Sequence, residues 1–154
     1  MKTIYVDTSV FGGKFDSEFE LWTNLFFEKV FDSDLKLIYS DVAREEMTNA
    51  PQKVKDFVQS IPDKNILRTD ITEEAILLAE KYLEEKVVGK SSRADCYHIA
   101  IATVLKADIL ISWNFKHIVN IQKIRGYNAV NLMNGYQTIE IRNPREIFDY
   151  ESKD

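Results

Sequence analysis

Three short apolar runs, each cut off by a polar residue, most constrain what this chain can fold into. They are Ile4-Tyr5-Val6 before Asp7, Leu37-Ile38-Tyr39 before Ser40, and Ile109-Leu110-Ile111 before Ser112. A strand without a polar face has to be covered on both sides, the condition of a parallel sheet sandwiched between helices. Between the runs, apolar residues recur at three- and four-residue steps, as in Phe19, Trp22, Phe26, Phe27, Val30 and Phe31, which marks an amphipathic helix. Strands alternating with helices predict a three-layer α/β/α fold with a mostly parallel central sheet.

The remaining elements follow from caps and breakers. Ser40 suits the N-cap of a helix starting at Asp41. Pro51 suits the first position of the next helix, where its missing N–H costs nothing. Ile66-Leu67 reads as a short edge strand, and Thr72 opens a helix through Ala75, Leu78, Ala79, Tyr82 and Leu83. Ser91-Ser92 starts a helix running from Ala94 to Lys106, apolar enough after His98 to be buried. A helix from Phe115 to Arg125 and a last strand at Ile139-Glu140-Ile141 complete the reading. At 154 residues the expectation is a single domain over 1–149, with a frayed tail at 150–154.

Composition removes several classes of function. Nine Phe, seven Tyr and two Trp are far too many for a disordered chain. Cys96 is the lone cysteine, so neither a disulfide nor a multi-cysteine zinc site is available, which suits a reducing cytoplasm. No targeting signal and no apolar stretch of membrane-spanning length is visible, so a membrane role is not expected. A net charge of −5 argues against coating nucleic acid by bulk charge. The phosphate-loop, dinucleotide, nucleophile-elbow and zinc-protease signatures are missing.

The acidic residues are more telling. In open α/β sheets the functional crevice lies beyond the carboxyl ends of the strands. Asp7 follows the first strand, Glu45 and Glu46 lie in the helix after the second, and Asn114 follows the third. Asp95 sits in the first turn of the helix that feeds that third strand. Singly, each has a plainer role: Asp7 or Ser9 as a helix cap, Glu46 as a solvated helix residue, Asp95 as a first-turn carboxylate. Together, carboxylates gathered within a few ångströms repel unless a cation neutralises them. Hard oxygen ligands call for Mg²⁺ or Mn²⁺, and such sites usually act on phosphates.

The motifs resemble the PIN-domain family, including VapC-like toxins. The matching segments are Ile4 through Ser9, Ser40 through Pro51, Arg93 through Ala102, Ala107 through His117, and Gly135-Tyr136 with Ile141 through Pro144. The resemblance implies a small metal-dependent ribonuclease, of the kind found as the toxin of toxin–antitoxin pairs, acting on RNA phosphodiesters. Carried over by position, Asp7, Glu46, Asp95 and Asn114 would form the catalytic set, with Asp7 and Asp95 on the metal. Glu45 is the rival for the second acid and otherwise a supporting residue. Ser9 would hydrogen-bond Asp7, and Asn114 and Ser112 would orient ligands or water. Many members carry Asp where this chain has Asn114, which removes one charge and bears on a second metal ion. RNA and a small antitoxin protein would be the partners, with homodimerisation by analogy.

Lys116, His117 and Arg93 are RNA-binding candidates, set against the ordinary reading of a solvated charged face. Phe11, Trp113 and Phe115 can stack on bases, although the last two also suit a core junction. His98, three residues after Asp95, reads as a histidine packed under the site. The competing function is a catalytically silent PIN-like module that binds RNA or a protein.

Overall fold

The structure, a computed structural model, describes residues 1–151, with side chains through residue 148. Among the described residues five strands form one sheet: β1 (Thr3–Val6), β2 (Lys36–Ser40), β3 (Ile66–Thr69), β4 (Ile109–Ile111) and β5 (Ile141–Arg142). Their order is β3-β2-β1-β4-β5, and every neighbouring pair is parallel. The central strand β1 is held from both sides, Ile4 facing Leu37 on β2 and Ile109 on β4.

Among the described residues eight α-helices cover this sheet: α1 (Thr8–Gly13), α2 (Glu20–Phe31), α3 (Asp41–Glu46), α4 (Gln52–Ser60), α5 (Glu73–Glu84), α6 (Arg93–Val104), α7 (Ile121–Met133) and α8 (Glu146–Glu151). Alternation along the strands divides the apolar residues into two cores. Ile4, Val6, Leu37, Ile109 and Ile111 face α1, α2 and α4 through Val10, Phe11, Phe26, Phe27 and Val54. Tyr5, Ile38 and Leu110 face α5, α6 and α7 through Leu78, Tyr82, Ile99 and Tyr127. Both faces are therefore covered, as the apolar runs require, and the architecture is the expected three-layer one.

Several boundaries move from those expected. Residues 115–118 form turns rather than a helix, because the Asn114 Oδ1 accepts the backbone N–H of Lys116 and His117. Helix α7 starts only after Asn120, whose side chain caps the N–H groups of Gln122 and Lys123. It runs to Met133 and is followed by Gly135, whose φ of +83° suits a helix end. Ile139 is outside the last strand because Asn128 takes both its N–H and its carbonyl. Pro51 sits one place earlier than expected, as the N-cap of α4. Helix α6 begins at Arg93 after a 3₁₀ turn over Lys90–Ser92 and stops at Val104. Of the tail at 150–154, Tyr150 and Glu151 fall in α8, and 152–154 lie outside the described residues. No helix among the described residues is long and apolar enough to cross a membrane.

Candidate metal-binding active site

Asp7 stands where β1 gives way to α1. Its backbone N–H bonds the Ile111 carbonyl at 3.0 Å, which fixes it to the end of β4. It is the N-cap residue of α1 by position, yet its carboxylate makes no capping bond. Oδ2 instead accepts hydrogen bonds from Ser9 Oγ at 2.6 Å and Ser112 Oγ at 2.9 Å. Both hydroxyls are themselves anchored, Ser9 by the Trp113 N–H at 3.0 Å and Ser112 by the Asn114 N–H at 2.9 Å. Asp7 is only 4% exposed, so those two donors sustain a nearly buried carboxylate.

Glu46 ends the six-residue helix α3 and Asp95 lies in the first turn of α6. Together with Asp7 and Asn114 they line one cleft of about 320 Å³ at the carboxyl edge of the sheet. Burial raises the Asp95 carboxyl above its ordinary range, and the charges of Asp7 and Glu46 raise it further against opposition from His98 and His117. Asn114 donates from Nδ2 to Asp95 Oδ1 at 3.4 Å, while its own oxygen is spent on the two backbone N–H groups of the following turn.

His98 is the residue that sequence reasoning placed beneath the site without a part in it. It is fully buried, as a packed histidine should be, but its Nε2 hydrogen-bonds the Glu46 carboxylate and lies 3.6 Å from Asp7 Oδ1. Its Nδ1 meets the Tyr5 hydroxyl at 2.6 Å, and that hydroxyl meets Ser40 Oγ at 2.7 Å. Burial disfavours a charged imidazole, but the Glu46 hydrogen bond and the charges of Asp7, Glu46 and Asp95 prevail and raise its pKa. Burial likewise raises the Tyr5 hydroxyl far above the tyrosine range, so it stays protonated. Ligand atoms of Asp7, Glu46 and His98 all lie within 4.8 Å of one another, a spacing that can hold a metal ion. The available signal for His98 was its position three residues after Asp95 on one helix face.

Other expected contributors fall elsewhere. Glu45 is exposed and does not line the cleft, because its neighbour Glu46 takes the inward position at the end of α3. Arg93 is paired with Glu80 on α5 and is also outside the lining. Lys116 is exposed, and His117 is half-buried with an Nδ1 that has no protein partner. Phe11 is buried in the core and presents no face to a base, and the half-buried Trp113 has one face stacked on Phe19 with ring centroids 4.4 Å apart. Phe115 is 47% exposed.

No protein-family model and no curated protein matches the sequence. Solved structures do match in fold. VapBC2 from Rickettsia felis, bound to a DNA fragment from its promoter, aligns with a TM-score of 0.57 and 10% identity over 92% of this chain and 98% of that one. FitAcB from Neisseria gonorrhoeae gives 0.57 and 15% over the same shares. DNA-bound VapBC from Salmonella typhimurium gives 0.54 and 13% over 94% of this chain and 99% of that one. The likeness covers nearly the whole length of both partners, and the chain has a PIN-like, VapC-like fold.

Proposed function

We propose that this chain is a divalent-cation-dependent endoribonuclease of the VapC type, with Asp7, Glu46 and Asp95 as its acidic set. The observation that carries this reading is the convergence of three carboxylates, from three separate segments, on one cleft. The residues fit the ion. Among the described residues each carboxylate keeps one oxygen free of protein hydrogen bonds: Oδ1 of Asp7, Oε2 of Glu46 and Oδ2 of Asp95. Such a set of hard oxygen donors suits Mg²⁺ or Mn²⁺. Burial first, and then the charges of Asp7 and Glu46, hold Asp95 above its ordinary pKa, and a bound cation would offset both.

Asp7 and Asp95 would hold the ion, which when bound supplies Lewis acidity toward the scissile phosphate. Glu46, on the rim of the cleft, would accept the proton of the attacking water. Ser9 and Ser112 keep Asp7 oriented through their hydrogen bonds to Oδ2. Asn114 would steady Asp95 through Nδ2 rather than bind the ion, since its oxygen is engaged. Lys116 and His117, on the turn beside Asn114, would receive RNA phosphates, and Phe115 a base.

The similar structures are VapBC and FitAcB complexes, two of them on DNA, which supports a small antitoxin as partner. The toxin role, a homodimer, action in the cytoplasm and a single nuclease domain over 1–149 belong to the same reading. The engaged oxygen of Asn114 favours a second reading, a PIN-like module that binds RNA or protein without cutting. Single-stranded RNA distinguishes them. Wild-type protein should cleave it with Mg²⁺ or Mn²⁺, and EDTA or Asp7→Asn should abolish cleavage. Equal cleavage by Asp7→Asn, or cleavage persisting in EDTA, would refute the nuclease.

A further inference from the structure

We infer that His98 is a positioning residue that holds the Glu46 carboxylate beside Asp7 in the cleft, and that the polar chain behind it fixes its ring. The proposal rests on the nuclease reading for its consequence, but the contact itself does not. Glu46 needs an external hold. It is the last residue of a helix of only six residues, and its side chain is 34% exposed. A glutamate so placed, with three rotatable side-chain bonds, would ordinarily sample solvent.

His98 supplies the hold from the opposite direction. Its side chain is wholly buried between α6 and the sheet, with Tyr5 as its ring neighbour at 5.5 Å between centroids. The donors and acceptors fit one direction throughout. A carboxylate only accepts, so Nε2 carries the proton given to Glu46. The Ala43 N–H only donates, and it reaches Ser40 Oγ at 3.1 Å. Ser40 can then donate to Tyr5, and Tyr5 to His98 Nδ1, leaving every member of the chain paired. If Nδ1 also carried a proton, the links behind it would reverse while the Nε2–H to Glu46 remained. The hold is therefore the same for neutral and charged imidazole. The chain starts at Ser40 and Ala43 at the head of α3 and returns to Glu46 at its foot, so it ties both ends of that helix to β1 and α6. It also explains why Glu46, not Glu45, faces the cleft.

The test uses the full-length chain with His98→Leu, His98→Gln and Tyr5→Phe. Gln can return an N–H near the position of Nε2, whereas Leu cannot. His98→Leu should weaken Mn²⁺ binding by titration calorimetry, and lower kcat on single-stranded RNA, by about 10–100-fold with KM little changed. His98→Gln should recover most of both losses. The ¹³C carboxyl resonance of Glu46 at fixed pH should move in His98→Leu and return in His98→Gln. Should His98→Leu fail to fold, Tyr5→Phe carries the test, with a smaller loss in the same direction. Wild-type Mn²⁺ affinity, kcat and resonance in His98→Leu, or in Tyr5→Phe where Leu does not fold, would overturn the proposal. If the wild type neither binds Mn²⁺ nor cuts RNA, the nuclease reading falls. The Glu46 resonance then still decides whether His98 positions that carboxylate.

Discussion

Neutralising Asp95 should change stability in opposite directions with and without a divalent ion. In the metal-free protein Asp95 is held above its ordinary pKa by burial and by the charges of Asp7 and Glu46, so its ionised form opposes folding. Asp95→Asn keeps the shape and an oxygen for the Asn114 Nδ2 contact while removing that charge. Optimising an unfavourable charge by substitution commonly returns about 0.5–2 kcal/mol. At this length, ~1 kcal/mol corresponds to about 2–4 °C in Tm. The variant should therefore melt a few degrees above wild type in EDTA at neutral pH. Mn²⁺ at a hundred times its Kd should stabilise the wild type by about 2.7 kcal/mol and the variant by little, reversing their order. The pH dependence follows from linkage. A raised carboxyl means that the folded state binds this proton more tightly than the unfolded chain. Stability then falls as pH rises from the ordinary carboxylate value through the raised one. The advantage of Asp95→Asn in EDTA should be absent below that window and complete above it. Calorimetric melts across pH, with EDTA and with Mn²⁺, measure all of this. A variant that melts at or below wild type in neutral EDTA, or that gains as much from Mn²⁺, would refute the charge argument.

Two further predictions concern the scaffold. Asn65 is fully buried, and its Nδ2 faces the carbonyls of Val30 at 3.0 Å, Ser33 at 3.1 Å and Leu35 at 2.9 Å. It thus closes the turn between α2 and β2. Asn65→Ala should cost about 1–3 kcal/mol by urea denaturation, because buried acceptors lose their donor, and a cost near zero would refute that account. Asp108 accepts the backbone N–H of Lys2 at 2.6 Å and of Thr3 at 3.0 Å, and these bonds hold its carboxyl below the usual range. Its stabilisation is present above the ordinary carboxylate pKa and lost as pH falls through the lowered one. Since the group is exposed, Asp108→Ala should cost no more than about 1 kcal/mol at pH 7. That difference should shrink in acid, and one that grew in acid would contradict the assignment.

The strands were legible because a buried parallel strand writes its environment directly into sequence, and β1, β2 and β4 do so without interruption. Helix α1 was not. Thr8–Gly13 has no apolar period and contains two glycines. One of them is there for space, since a Cβ on Gly13 would stand 2.8 Å from Trp113 Nε1 and 2.9 Å from Thr23 Oγ1, which hydrogen-bond each other. The start of α7 was misplaced although its signal was present. Asn120 is a good N-cap, and Asn114, read only as a site residue, spends its oxygen on the turn that precedes it.

The acids of the candidate site could be found because chain topology alone brings the ends of parallel strands to one edge, so Asp7, Glu46 and Asp95 needed only their place in the order of elements. His98 could not be found that way. A periodic pattern reports which face of a helix is covered and says nothing of what the covered face touches at its end. Along α6 the pattern correctly buries His98 with Cys96, Ile99 and Ala102. What turns a core position into part of the site is the register of β1. Ile4 and Val6 point to one layer, and Tyr5 points to the other, into the core shared with α6. A shift of β1 by one residue would exchange those faces and leave the imidazole without the Tyr5 hydroxyl behind it. The polar chain that reaches Glu46 is therefore a product of sheet pairing, set by residues remote from α6, and no local pattern in α6 carries it.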